Sequence, residues 1–424
     1  MRAFFFIILV PPTYLALRIL IRGKGSAWQR WLAVLGLYLV SQVYTIDSTF
    51  FSSLAGPDIP AWLLLLQLWL FTALNIFFLC TVFLDINSQV RLLHARLFSK
   101  RDVTVAPPVP DDTPLASRRA FLKGGVQSAA CLLGAPFFSL GASGFGLFKG
   151  TAIPKVHPME LFLPQLPADL DGFKIAHLSD IHVGPLTSIN WVRQMVADTN
   201  AAHPDLICLT GDLVDGRWDY RVARGGSRLE AVQELAGFSA PCGVLACTGN
   251  HEYYSDYKGW MELYQKVGIR VLHNRGVVIT RGRAKLVVIG LDDRGATERL
   301  KLPLANPRAI VSKLPGRKDN ALRILLDHRP TRSKRNATCG IDLQLSGHTH
   351  GGQCIGMDRI VERRNRGLVR GWYNIKGMPL YITNGAGLWS GFPVRLGIPA
   401  EIALITLRRG KGKAPRWQEQ GKRE

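Results

Sequence analysis

The chain has 424 residues, enough for two or three domains, or for a membrane region followed by one sizeable enzyme domain. Its 53 basic against 31 acidic side chains leave a formal charge of +22, which favours an acidic partner: a membrane surface, nucleic acid or a phosphate-bearing substrate. Seven cysteines without a C-x-x-C pair supply neither a disulfide framework nor a zinc-ribbon pattern; Cys242 and Cys247 could pair but read better as core thiols.

Three long apolar runs open the chain, at residues 3–20, 31–46 and 59–84. Their length and scarcity of charge predict three membrane helices, the first interrupted by Pro11 and Pro12. Arg18, at the end of the first run, and Arg22, Lys24 and Arg30 after it mark the first connection, whereas the connection at 47–58 has no Lys or Arg. Arg91, Arg96, Lys100 and Arg101 follow the third. Positive loops face the cytoplasm, so this bias places the N-terminus and the second connection outside and the third connection inside.

A linker at 106–114, "APPVPDDTP", then precedes "SRRAFLK" at 117–123, which is similar to a twin-arginine export signal. The run that follows, 124–148, is apolar but rich in Gly, Ala and Ser. The charge-derived topology places the arginine pair inside, where such a signal is read. On this reading the fourth apolar segment delivers the rest of the chain to the periplasmic or exterior side.

From Lys174 onward short β-like runs alternate with helical patterns, which predicts an α/β fold with function at the carboxyl ends of the strands. The polar residues gather there. Asp180 and His182 sit in "SDIH", Asp212 in "TGD", Asn250 and His251 in "GNHE", His328 in "DHRP", and His348 and His350 in "GHTH". Carboxylate, imidazole and amide oxygen together suit a hard-to-borderline divalent metal. Asp215 and Glu252 read as turn or supporting groups, His177 as packing or support, and Asp292 and Asp293 as the end of a strand. Arg395, in the late glycine-rich stretch 384–397, reads either as a phosphate contact or as a surface arginine.

The order D-x-H, G-D, G-N-H-E, His and G-H-x-H, over about residues 173–407, resembles the calcineurin-like metallophosphoesterase superfamily. "FKIAHLSDIHVG" and "LQLSGHTHGGQ" look most like its membrane-linked branch of bacterial phosphodiesterases and UDP-2,3-diacylglucosamine pyrophosphatases. The resemblance implies a four-layer α/β sandwich, here preceded by an N-terminal transmembrane helical region, and two divalent ions drawn from Mn, Fe or Zn. It implies that Asp180, His182 and His350 hold one ion, Asn250, His328 and His348 the other, and Asp212 bridges them. It makes His251 the acid at the leaving group. Two metals about 3.5–4 Å apart suit in-line displacement at phosphorus by a metal-activated hydroxide.

These observations divide the chain into a transmembrane region (1–105), a linker with signal and fourth apolar segment (106–150), a metallophosphoesterase domain (151–407) and a basic tail (408–424). The expected protein is a phosphoesterase of the bacterial inner membrane acting on a phosphodiester, pyrophosphate or phosphomonoester, small or lipid-borne. Its expected partners are membrane lipids and the twin-arginine machinery, not nucleic acid. Two alternatives are a pyrophosphatase of lipid A synthesis, disfavoured by the topology, and a non-catalytic membrane sensor, disfavoured by the intact motifs.

Overall fold

The computed structural model describes residues 2–23, 25–42, 61–98, 134–216, 227–254, 256–389, 391–412 and 418. The linker, the twin-arginine-like stretch at 117–123, Cys131 and most of the basic tail lie outside the described residues. Internal contacts divide the chain into two units, Met1–Ile46 with Leu66–Phe145, and Asp47–Leu65 with Gly146–Glu424.

The first unit carries helices α1 (Arg2–Arg22) and α2 (Ala27–Ser41), most of α3 (Ala61–Phe98) and the first part of α4 (Ala135–Gly150). A carboxylate inside an apolar helix needs a partner. Asp85 of α3 accepts from Tyr14 Oη at 2.6 Å and lies 3.3 Å from the Arg18 guanidinium. Trp69 Nε1 donates to the Leu140 carbonyl at 2.9 Å, and Ser143 Oγ donates back to the Trp69 carbonyl at 2.8 Å, which ties α3 to α4.

Among the described residues, one helix rather than three is long and apolar enough to cross a membrane, Trp62–Arg91 within α3. The apolar stretch of α1, Ile8–Ile21, is shorter. The 15 residues of α2 make about 22 Å of helix, against a hydrocarbon thickness of about 30 Å. Length, not polarity, separates α2 from a span, since Trp28, Trp31, Leu35 and Leu39 are all exposed on it.

The second unit is an α/β sandwich. Its first sheet runs β1 (Lys155–Leu163), β12 (Glu401–Arg409), β2 (Lys174–Leu178), β3 (Leu206–Leu209), β4 (Val244–Ala246), β5 (Ile269–Val271). The second runs β10 (Gly371–Ile375), β11 (Met378–Ile382), β9 (Leu343–Ser346), β8 (Ala321–Leu326), β7 (Ala284–Gly290), β6 (Arg275–Arg281). Strands β2 to β5 are parallel, as are β11, β9, β8 and β7.

Strand periodicity explains why these strands are apolar on both faces. In β3, Leu206 and Cys208 point into the core between the sheets, where they meet Phe173, Leu286, Ile324 and Leu345. Ile207 and Leu209 point the other way, toward Val192 and Met195 of α5 (Ile189–Ala201) and Trp260 and Leu263 of α7 (Tyr257–Lys266). On the outer face of the second sheet Val287, Ile289 and Leu325 meet Val311 of α9 (Pro307–Val311) and Ile341. The layers are therefore helix, sheet, sheet, helix. Side-chain caps start the outer helices: Ser188 Oγ accepts from the Trp191 amide at 3.2 Å, and Asp256 from the Gly259 amide at 3.1 Å.

Leu286 is wholly buried between the sheets and belongs to none of the strand-end motifs. Leu286→Ala should lower unfolding stability by about 3 kcal/mol through lost burial and an unfilled cavity. Leu302→Ala, at a side chain 44% exposed, should change it by less than about 0.5 kcal/mol. Chemical unfolding of the two full-length variants in detergent, followed by tryptophan fluorescence, measures the difference.

Candidate metal centre

Parallel strands bring their carboxyl ends to one edge, and the loops leaving β2, β3, β4, β8 and β9 carry the polar motifs there. Five of those residues have backbone in the left-handed region: Asp180 (φ 53°), His182 (48°), Asp212 (52°), His348 (71°) and His350 (49°). Such backbone costs roughly 1 kcal/mol or more for each residue with a Cβ. It turns the chain sharply off the strand, so that a short side chain at the strand end aims into the cleft.

The turns hold one another. Both carboxylate oxygens of Asp180 face the His348 amide, at 2.9 and 3.1 Å, joining the end of β2 to the end of β9. Asp212 Oδ1 accepts from the His251 amide at 2.8 Å, joining β3 to β4. Glu252 braces the same pair of loops by accepting from the amides of Asp212 (3.1 Å), Leu213 (2.7 Å) and Gly249 (2.7 Å). Gly211 and Gly249 meet backbone to backbone at this junction, and a Cβ on either would overlap the other loop.

Three groups of potential ligand atoms result, each within 4.8 Å: Asp180, His182 and His350; Asp212, His328 and His348; and His182, Asp212 and His251. His182 Nε2 lies 3.0 Å from His350 Nε2, and His350 Nε2 lies 3.5 Å from Asp180 Oδ1. In the second group His328 Nε2 lies 3.1 Å from Asp212 Oδ2, 3.2 Å from His348 Nδ1 and 3.3 Å from Asn250 Oδ1. All eight expected metal and acid residues therefore converge on one cleft, with Asp212 between the two sides.

The donor set fits divalent cations. His182 Nδ1 donates to Asp215 at 2.8 Å and His328 Nδ1 donates to the Thr210 carbonyl at 2.7 Å, so each ring turns its Nε2 inward. Those two nitrogens lie 4.0 and 3.1 Å from the same oxygen, Asp212 Oδ2. Nitrogen lone pairs facing a buried carboxylate repel unless positive charge lies among them.

The pKa shifts express the same demand. Burial opposes charge on His328, but Asp212 outweighs it and pushes the pKa up to about 10. Burial likewise opposes charge on His251, and Asp212 and Asp215 push it up to about 9. Burial together with Arg329 and His328 holds His348 well below the usual histidine range. Burial with His182 and Arg395 does the same to His350. Both are thus kept neutral, as nitrogen ligands must be.

Asp215 carries more than a turn. One oxygen, Oδ1, accepts from His182 Nδ1 at 2.8 Å and from His251 Nδ1 at 2.6 Å, fixing both rings. Burial would raise its pKa, yet the two histidines hold the carboxyl below its ordinary range. His177 binds Thr210 Oγ1 at 2.8 Å and so supports the residue that orients His328.

Arg395 is neither at the surface nor open to a ligand. It is 1% exposed, and its guanidinium donates to the carbonyls of Asn384 (2.8 Å) and Gly387 (2.7 Å). Its two-carbonyl anchorage shapes the glycine loop behind His350, which lies 3.5 Å away. A different arginine, Arg329, stands at the cleft. Its Nε donates to Asp293 at 2.7 Å and its Nη1 lies 3.3 Å from His348 Nε2. Adjacency to His328 was its one signal in the sequence.

Residues 173–352 match the calcineurin-like phosphoesterase family. The chain is 32% identical over 272 residues to a Danio rerio transmembrane protein with metallophosphoesterase domain, covering 62% of this chain and 60% of that one. It is 33% identical over 269 residues to a putative metallophosphoesterase of Caenorhabditis elegans, covering 62% and 54%. An uncharacterized metallophosphoesterase of Aquifex aeolicus is 33% identical over 246 residues, covering 56% of this chain and 86% of the relative. The chain thus spans little more than half the length of the first two relatives.

Glu252→Gln keeps shape but presents an amide nitrogen to backbone donors. It should destabilise the fold by about 1–3 kcal/mol and loosen the Asp212 loop. Thermal unfolding, with metal content measured in parallel, should show a lower midpoint and sub-stoichiometric metal.

Proposed function

Because the chain belongs to the calcineurin-like metallophosphoesterase family, we propose that it is a membrane-anchored phosphoesterase working with two divalent metal ions. The observation that carries this reading is the placement of Asp212 between two ligand groups, one with Asp180, His182 and His350, the other with His328 and His348. We assign Asp180, His182 and His350 to one ion, Asn250, His328 and His348 to the second, and Asp212 to both. When bound, the ions would neutralise phosphate charge and acidify water for in-line attack.

The protein's own groups do the rest. Asp215 fixes the tautomer of His182, and the Thr210 carbonyl that of His328. His251 is tethered through Nδ1 to Asp215, and its Nε2 faces the cleft 3.9 Å from Asp212 Oδ2. Flanking carboxylates favour the protonated ring, so Nε2 holds the proton that the departing oxygen needs. Arg329, anchored on Asp293, turns a cationic edge toward the site for a phosphate oxygen.

The substrate class is a phosphodiester, pyrophosphate or phosphomonoester. The span in α3 and the membrane-linked relatives support anchoring, and we place the catalytic domain, residues 151–407, on the periplasmic or exterior side of the inner membrane. A turnover screen with defined metals against aryl phosphomonoesters, aryl phosphodiesters and a nucleotide-linked lipid pyrophosphate tests the reading. Absence of turnover on every class with two metals bound would favour a sensor instead.

Asp212→Asn should lower the metal content of both sites and abolish turnover, because the shared oxygen charge is lost. His251→Gln should keep two metals per chain yet cut turnover by about 10²–10⁴-fold for poor leaving groups and much less for good ones. Metal analysis beside a leaving-group series separates the two variants.

Export through the arginine pair has its own test. Arg118→Lys with Arg119→Lys preserves the positive-inside charge but should strand the catalytic domain in the cytoplasm. Protease added to spheroplasts should digest that domain in the parent and spare it in the double variant.

A further inference from the structure

Helix α11 (Met357–Arg364) follows the His350 loop and inverts the usual pattern of a surface helix. Its acids face inward, Asp358 and Glu362 each being 6% exposed. Ile360 on the helix is 61% exposed, and Ile355, two residues before the helix begins, is 74% exposed. Polar bonds fix this orientation. Asp358 accepts from Arg370 at 2.9 Å and from the Gly356 amide at 2.9 Å, and Arg370 also donates to the Gly351 carbonyl at 2.6 Å.

Residues 357–370 contain five arginines against those two buried acids. Arg363, Arg364 and Arg366 are exposed. At 3.6 residues per turn, Ile360 lies between Arg363 and Arg364 on the outward face. Outward apolar side chains flanked by arginines are the composition of a segment lying at a lipid surface.

The last residues of α4, from Gly146, belong to the same unit as α11 and are tied to it. The Gly146 carbonyl, in the last part of α4, accepts from the Arg395 amide at 3.0 Å. The next residue, Leu396, donates to the Gln353 carbonyl and accepts from the Ile355 amide, each at 3.0 Å. Two hydrogen-bonded steps therefore link the end of α4 to Ile355. Phe148, in that same end of α4, is 70% exposed.

We propose that α11 with Ile355 docks on anionic phospholipid, the arginines pairing with headgroup phosphates and Ile355 and Ile360 entering the headgroup boundary. Lysine and arginine near such a surface contribute roughly a five-fold preference each for anionic over neutral lipid. Docking there sets the His350 loop, and with it the mouth of the cleft, next to the lipid. The proposal rests on the membrane anchoring put forward above. Incorporation of the full-length chain into nanodiscs checks that premise separately, since a chain without a span would not stay with the discs.

Peptide-resolved hydrogen exchange on the full-length protein tests the surface, using discs of phosphatidylcholine alone and discs with phosphatidylglycerol. Amides within 355–366 should exchange at least several-fold more slowly on the anionic discs. Arg363→Gln with Arg364→Gln, and separately Ile355→Ser with Ile360→Ser, should each abolish most of that difference while leaving soluble-substrate turnover unchanged. Equal exchange on both discs, or protection indifferent to both variants, would overturn the proposal. So would protection that persists in detergent and grows with protein concentration, which would make the occupant a second copy of the chain.

Discussion

The site depends on one buried carboxylate. Asp212 is 2% exposed and its Oδ2 lies 3.1, 3.9 and 4.0 Å from imidazole nitrogens of His328, His251 and His182. An ionised carboxylate at such depth is tolerable only with compensating positive charge. Without metal, protons on His328 and His251 supply it, which is why both titrate well above their ordinary value. Divalent ions would supply it better, because they would let His328 stay neutral and act as a ligand while His251 keeps its proton. The same carboxylate also accepts the His251 amide at 2.8 Å, so the group that organises charge also organises backbone.

That second duty explains how a strained edge persists. Five left-handed residues in one cleft would cost several kcal/mol together. Carboxylates that accept backbone amides across loops offset it: Asp180 from His348, Asp212 from His251, Glu252 from three donors. Hydrogen bonds to charged groups are worth about 1.5–3 kcal/mol each. The two sheets are the rigid base, since the strands feeding these loops are apolar on both faces and closed on each side by side chains.

Much of this was legible in the sequence, for a physical reason. Parallel strands with two buried faces read as short apolar runs, and the ligands follow each run within a few residues, so Asp180, Asp212, Asn250, His328 and His348 could be placed in order. What the sequence hid was the direction of side chains that follow no period. Asp215 lies in a loop, and nothing local says that one of its oxygens meets two rings. Arg395 looked available because arginines usually sit outside, yet three-dimensional closure of the 384–397 stretch spends it on carbonyls. Arg329 carried no motif of its own. At the other end of the chain, hydropathy measured apolarity well but not helix length, so three apolar runs yield one segment of spanning length among the described residues.

The excess of +22 takes its meaning from where the basic residues stand. Arg395 is an internal strut, while Arg329 and Arg332 are fixed on Asp293 and Asp327 at 2.7 and 2.6 Å. Each of that pair is thereby held against a buried acid, and Arg329 alone of the three also faces the cleft, its Nη1 3.3 Å from His348 Nε2. The arginines left outward on α11 form a compact patch interleaved with isoleucine, the composition of a segment facing lipid. Among the described residues of this domain, the basic side chains around the site therefore include structural pairs, one arginine at the phosphate-directed cleft, and a small outward patch beside it.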